Sequence, residues 1–277
     1  MRILLPPSAG KTTKESTNHL QLEKLWQEEH LTQTRRQLID DVQNTALLAD
    51  AAQIFKLGPK NAHEISQNLE VYDAPALAAW QLYDGVLYEA AKFAQIFSSG
   101  EPSQGSQGQV GNHRGDQRQG SQGQGNQPQG GQRQLEELTL VFSALFGPVR
   151  LTDLITPHRL SGSVKLPGQG SVASIWSKAL KELLTQQLSG HVVVDLRSSE
   201  YGATYRPTRG SDCLLLNIGV AKVNPATGKR SVVSHWDKHT RGLLAGALLE
   251  AVAGAQLYGS EGDGDEDLQV ADALEGV

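Results

Sequence analysis

Apolar residues recur along this chain with two different spacings, and the change from one to the other marks out the elements. Leu20, Leu25, Leu31, Leu38, Val42, Leu47, Leu48 and Ile54 fall at helical intervals, so residues 16–55 are predicted to be mostly helical. Asp73-Ala74-Pro75 is expected to start another helix running through Trp80 and Tyr83. SVASIWSKALKELLTQQL (171–188) has a serine start and places Leu, Ile and Trp on one buried face. Thr240-Arg241-Gly242 leads into an Ala- and Leu-rich helix ending near Leu257. Short runs without helical period read as strands: Ile3–Leu5, and HVVVDL (191–196). CLLLNIGV (213–220) and KRSVVSHW (229–236) are predicted as two strands joined around NPATGK (224–229), and LEELTLVFSALFG (135–147) fits either a short helix or a strand. The mixed order, with a hairpin, predicts an α+β fold: a single domain with a mixed sheet and flanking helices.

One stretch departs from any such pattern. In residues 98–134, 21 of 37 residues are Gly or Gln and Val110 is the only aliphatic side chain. That composition cannot bury enough apolar surface to offset the entropy of ordering, which predicts a disordered insert in a surface loop of one domain spanning residues 1–258. Residues 259–277 hold seven acidic and no basic residues, an acidic and flexible tail. The net charge of −5 therefore hides a body with 25 basic against 23 acidic groups, compatible with nucleic-acid contact without arguing for it. The single cysteine, Cys213, excludes an internal disulfide and fits a reducing cytosol; its apolar surroundings suit a core thiol. No run reaches the length of a membrane span, and the first residues do not resemble a secretory leader, so a cytoplasmic monomer is expected.

Candidate chemistry lies in five stretches. LPPSAGKT near the N-terminus ends like a phosphate loop, G-x-x-x-x-G-K-[ST]. Its first glycine position is Leu5, followed by Pro6 and Pro7, which lack N–H donors, so nucleotide hydrolysis is disfavoured and a rigid exit from the first strand is expected. IFKLGPKNAHEI (54–65) fits the hairpin of a helix-hairpin-helix element. Gly58, Lys60 and Asn61 would present backbone N–H groups and a cation to a DNA phosphate, against the alternative of an ordinary helix cap at Gly58. GPVRLTDLITPHRLSGSVKLPG (147–168) carries Arg150, Asp153, His158, Arg159 and Lys165. It reads equally as a polar pocket wall or as a loop ordered by an Arg150–Asp153 pair. DLRSSEY (195–201) puts Ser199, Glu200 and Tyr201 after a strand, where α/β-type sheets present ligand groups. HWDKHTRG (235–242) places Lys238 and Arg241 at the start of the last helix, suited to an anion; His235 is expected on a strand, and no metal site is assigned.

In order along the chain, LPPSAGKT, LYDGVLYEA (82–90), LFGPVRLTDLITPHRL (145–160), Trp176 in its helix, DLRSSEY and KHTRGL (238–243) resemble the YaaA peroxide-stress family. The family's C-terminal aromatic and acidic stretch is not evident here. The resemblance implies a cytosolic protein that limits oxidative damage, in part by lowering free iron, and that binds duplex DNA in a basic cleft through backbone contacts. It implies no cofactor, and the non-enzymatic reading is preferred. The matched motifs supply a set of anion or pocket candidates: Ser8, Lys11, Thr12, Asp84, Tyr88, Arg150, Arg159, Ser199, Glu200, Tyr201, Lys238 and Arg241. So varied a set also supports the competing expectation of an enzyme, or a binder of a small anionic ligand such as a nucleotide. Convergence on one closed pocket favours the small ligand; an open groove beside Lys60 favours DNA.

Overall fold

The first strand is apolar on both faces, and the fold is built around it. In a computed structural model that describes residues 1–97, 135–208, 210–223 and 234–258, with a few positions between them, β1 (Arg2–Leu5) is the central strand of a five-stranded sheet. Its Ile3, Leu4 and Leu5 are fully buried. Strand β2 (Thr139–Ser143) lies parallel on one side of β1, with Ile3 opposite Thr139, and is followed by antiparallel β3 (Gly147–Arg150). On the other side run β4 (His191–Asp195) and β5 (Cys213–Asn217), both parallel. The order is β3-β2-β1-β4-β5, a mixed sheet as expected for an α+β fold. The Gln/Gly-rich insert expected at 98–134 and the acidic tail at 259–277 lie outside the described residues.

The stretch 135–147 resolves into both of its alternatives, a helical turn at 135–138 and then β2, whose five residues are all buried. Two expectations are corrected. Cys213–Asn217 pairs with β4, not with the stretch after NPATGK. The hairpin there is shorter, Lys222–Val223 against Arg230–Ser231, and the last helix already begins at Ser234, so the backbone at His235 is helical and not extended. A parallel edge strand needs its partner's register, which the local turn signal does not carry.

The helices cover the sheet for reasons visible in their sequences. Helix α1 (Glu28–Ala46) buries Leu31, Leu38, Ile39 and Val42 along one stripe, together with Arg35. The Arg35 guanidinium donates to the carbonyls of Trp26, Phe146 and Pro148 at 2.8–3.0 Å, which ties α1 to the β2–β3 turn. The helix expected from Asp73 through Tyr83 is reduced to one turn, Ala79–Leu82, after a short strand, Leu77–Ala78, that pairs with Leu154–Ile155; α2 (Val86–Ala91) follows and bears on the site. Helix α3 (Val172–Gln187) is capped by Ser171, whose side chain accepts from the Ser174 amide. Its Trp176 is fully buried and donates from Nε1 to the Ala144 carbonyl at 2.8 Å. Gly147, at φ +67°, lies under that indole; a Cβ there would come within 2.5 Å of the ring. After a single turn, α4 (Ser199–Gly202), the last helix α5 (Ser234–Tyr258) packs on α2. Gly242 and Gly246, one turn apart, face the α2 backbone: a Cβ on Gly242 would lie 2.8 Å from the Ala90 Cβ, and one on Gly246 would lie 2.6 Å from the Ala91 carbonyl oxygen. Only glycine lets the two backbones approach so closely.

Candidate functional site

The exit from β1 is held rigidly on both sides. Leu196 donates its amide to the Leu4 carbonyl at 2.9 Å, and the Tyr88 hydroxyl donates to the Pro6 carbonyl at 2.9 Å. Residues 8–12 then clamp against 82–85. Ser8 packs on Gly85, Asp84 packs on Gly10, Lys11 forms a single bridge with Tyr83, and the Thr12 amide donates to the Leu82 carbonyl at 2.9 Å. The Pro-Pro bend thus directs Ser8 and Lys11 into a cavity of about 750 Å³, whose walls come from six separate stretches of the chain and Ala144.

Eight of the twelve candidates line that cavity: Ser8, Lys11, Tyr88, Arg159, Glu200, Tyr201, Lys238 and Arg241. Four do not. Thr12 accepts from the Lys14 amide at 3.3 Å, Asp84 is exposed beside Gly10, and Ser199 is exposed at the start of α4 while its neighbour Ser198 lines the cavity. Arg150 is occupied elsewhere: its Nε is 2.8 Å from Glu137 Oε1 and its amide donates to Asp153 Oδ2 at 2.9 Å. Asp153 also accepts from the Trp26 amide, so this carboxylate organises a chain crossing.

Each cation in the cavity is positioned differently. Arg241 donates to the carbonyls of Leu196 and Arg197 at 3.0 Å each, and its Nε lies 3.0 Å from Asp237 Oδ1, a charge contact one turn back on α5. Those carbonyls are fixed because Arg197 forks onto Asp195 at 2.8–2.9 Å, with its guanidinium 4.2 Å from the Phe142 ring centroid. Arg159 pairs with Glu64 at 2.9 Å and reaches the Ala9 carbonyl at 3.3 Å. Its backbone is gripped at both ends by the buried Asn68, which accepts from the Arg159 amide at 2.7 Å and donates to its carbonyl at 2.9 Å. Lys238 is exposed at the rim. Lys56, also lining the cavity, reaches the Ser163 carbonyl at 2.9 Å.

Lys11 is half-buried, with Nζ 3.4–3.5 Å from the carbonyls of Ser8 and Ala9 and 5.7 Å from the Tyr83 ring centroid. Among the described residues no carboxylate lies within ion-pair distance of it. Burial, reinforced by the Arg159 cation and opposed by Glu64 and Asp84, brings its amine down to about 8. His158 forms the floor; burial first, and the Lys11 charge second, push it down to about 3, so it is neutral at pH 7. Its Nδ1 is 2.9 Å from the Thr156 carbonyl, and its Nε2 is 3.3 Å from the Ser143 hydroxyl. Burial raises the phenols of Tyr88 and Tyr201, keeping both as neutral hydrogen-bonding groups. Glu200 accepts from the Ser163 amide at 3.0 Å.

The hairpin segment adjoins this cavity without filling it. Phe55, Lys56 and Leu57 line the wall, whereas Gly58, Lys60 and Asn61 are exposed beyond it. The flanking pieces are one turn of α-helix, Ala51–Ile54, and a 3₁₀ segment, Pro59–Ile65. The left-handed residue is Lys56, at φ 56°; Gly58 has an ordinary φ of −70°, and a Cβ on it would meet nothing within 4 Å. Glu64, on the 3₁₀ segment, connects the hairpin to the cavity through Arg159. Sequence reasoning missed Lys56, Glu64, Asn68, Ser163 and Asp237; Asp237 alone left a signal, four residues before Arg241 at helical salt-bridge spacing.

Fold and site together define an α+β protein with a cation-lined cavity beside a hairpin. A family model described as peroxide stress protein YaaA matches residues 126–256. The chain is similar to a UPF0246 protein of Streptomyces coelicolor, at 28% identity over 90% of this chain and 83% of the relative. It is also similar to UPF0246 proteins of Corynebacterium glutamicum (29%, over 90% and 84%) and Corynebacterium efficiens (29%, over 95% and 91%). Over residues 126–256 the chain is thus similar to the YaaA peroxide stress proteins, and over most of its length to the UPF0246 proteins. Among the described residues no helix is long and apolar enough to cross a membrane.

Proposed function

We propose that the chain serves peroxide resistance by binding phosphate groups in this cleft, with the backbone of duplex DNA as the carrier. One observation supports it: Lys11, Arg159, Lys238 and Arg241 share one cavity whose wall continues into the exposed hairpin at Gly58–Asn61. Gly58 adds to this reading, because neither its φ nor its surroundings require glycine, and a bare backbone permits close approach of a phosphate. Such a grip reads charge and not bases, so affinity falls with salt and is indifferent to sequence. Any lowering of free iron would be an indirect consequence in a cytosolic protein. Fluorescence anisotropy with unrelated duplexes across a salt series tests the proposal; absence of binding at low salt refutes it.

A second reading is a free nucleotide or sugar phosphate as ligand. It is favoured by the convergence of eight candidates on one cavity of about 750 Å³, from which Lys60 is absent. A thermal-shift panel of nucleotides and sugar phosphates separates the two, since duplex binding with a flat panel leaves only the first.

A further inference from the structure

We propose that Lys11 is a nucleophile that forms an imine with an aldehyde carried on a phosphorylated sugar bound in the cleft. The inference rests on the proposed phosphate-binding role and goes beyond it, because it assigns covalent chemistry to one side chain.

Three observations converge on it. Lys11 faces the cavity from a segment that cannot swing: the Pro6-Pro7 bend, the Tyr83 bridge and the Thr12–Leu82 hydrogen bond hold both sides of it. Among the described residues its amine lacks the carboxylate partner that Arg159 has in Glu64 and Arg241 has in Asp237; it contacts carbonyl oxygens and an aromatic face. The groups around it are Arg159, Glu64, Asp84 and the neutral His158 and Tyr83; burial first and the Arg159 cation second bring its amine down to about 8 against the opposing Glu64 and Asp84. An ordinary lysine is about 0.03% unprotonated at pH 7, whereas an amine at 8 is about 10% unprotonated. Lysines desolvated or placed next to another cation are the ones that serve as amine nucleophiles toward carbonyls.

The cavity supplies the rest of the recognition. The rim Lys238, with the charges of Arg159 and Arg241 that stay paired with Glu64 and Asp237, makes the cavity attractive to a phosphate, while Tyr201, Ser161 and Glu200 offer polar contacts to sugar hydroxyls. In the step, the free Lys11 amine attacks the aldehyde carbon and the carbonyl π pair moves to oxygen. A nitrogen proton passes through water to that oxygen, giving a carbinolamine. A proton from solvent is taken up by the hydroxyl, which leaves as water while the nitrogen lone pair forms the C=N bond, giving the protonated imine. No oxidant or reductant is consumed.

Reductive trapping of the full-length chain with cyanoborohydride tests this. The probes are glyceraldehyde 3-phosphate, unphosphorylated glyceraldehyde and a duplex carrying an abasic site, with adducts mapped by peptide mass spectrometry. Noncovalent binding is followed in parallel with glycerol 3-phosphate and an intact duplex, which have no aldehyde. At pH 7 the Lys11 adduct should form on the order of a hundredfold faster than adducts at exposed lysines, with half-maximal rate near pH 8. It should favour the phosphorylated probes over glyceraldehyde. Trapping by the free sugar phosphate alone, or by the abasic duplex alone, each supports the inference and identifies the source of the aldehyde. Lys11→Arg, which keeps the cation but not the nucleophilic amine, should lose the adduct. Binding of the aldehyde-free probes with labelling of Lys11 no faster than of surface lysines overturns the imine and leaves phosphate binding standing; failure of both binding and trapping overturns both.

Discussion

Replacing Gly242 by alanine tests the contact that sets Arg241 and Lys238 in place. The new Cβ would lie 2.8 Å from the Ala90 Cβ and 3.0 Å from the Leu87 carbonyl carbon, with the Leu87 oxygen closer still. Ordinary van der Waals contact requires α5 to retreat from α2 by roughly 1 Å, and overpacking of this kind costs about 1–3 kcal/mol. Alanine's better helix propensity returns about 1 kcal/mol, so the net loss is up to about 2 kcal/mol. For a domain of this size Tm falls by roughly 2–4 °C per kcal/mol, giving a decrease of up to about 8 °C by scanning calorimetry. Gly254→Ala on the same helix is the control, since a Cβ there meets nothing within 4 Å; it should be neutral or stabilising by up to about 1 kcal/mol. The retreat should also weaken anion binding, because Arg241 is held to the Leu196 and Arg197 carbonyls on the opposite side. If Gly242→Ala is as stable as Gly254→Ala, the close helix crossing is wrong, and with it the placement of both cations.

Three further outcomes follow from the same geometry. Gly58→Ala should leave unfolding free energy within about 1 kcal/mol of the parent, since φ and space both accept alanine, yet weaken duplex binding; unchanged anisotropy would remove the hairpin from the interface. Asn68→Ala removes both hydrogen bonds to the Arg159 backbone in a buried setting and should cost about 1–3 kcal/mol in denaturant unfolding, with loss of anion affinity; a neutral substitution would show that Arg159 is positioned by Glu64 alone. The folded-state amine of Lys11 is depressed from 10.5 to about 8, so it loses its proton before the unfolded chain does. Its burial therefore opposes folding below pH 8, and that opposition fades as pH rises from 8 to 10.5. Lys11→Met should be more stable than the parent at pH 7, with the difference shrinking by pH 10; an equal difference at both pH values would refute the depressed amine.

Much of the frame was legible because its signals are local. The amphipathic 171–188 stretch, with its serine start, is a capped helix, and HVVVD is a strand whose last three residues are buried. The Pro6-Pro7 bend does turn Lys11 toward the far end of the chain, where Lys238 and Arg241 line the same cavity. What was not legible depends on partners remote in sequence. The strand Cys213–Asn217 pairs in parallel with β4, and no turn signal announces that register. Arg150 looks like a pocket residue by composition but is claimed by Glu137 and Asp153. Asn68 and Glu64 matter only because the chain brings residue 159 beside them, which no spacing in the sequence reveals. The helix pair around Gly58 is shorter than its motif suggests, with the left-handed turn carried by Lys56.

The central claim is that cations gathered from distant parts of the chain bind backbone phosphate. Its most direct measurement is the affinity of the full-length chain for two duplexes of unrelated sequence, followed by fluorescence anisotropy from low to physiological salt. The prediction is binding at low salt with closely similar Kd for both duplexes, and a linear loss of log affinity with log salt that becomes shallower in Lys238→Glu. No binding at low salt, or an affinity independent of salt, would contradict it.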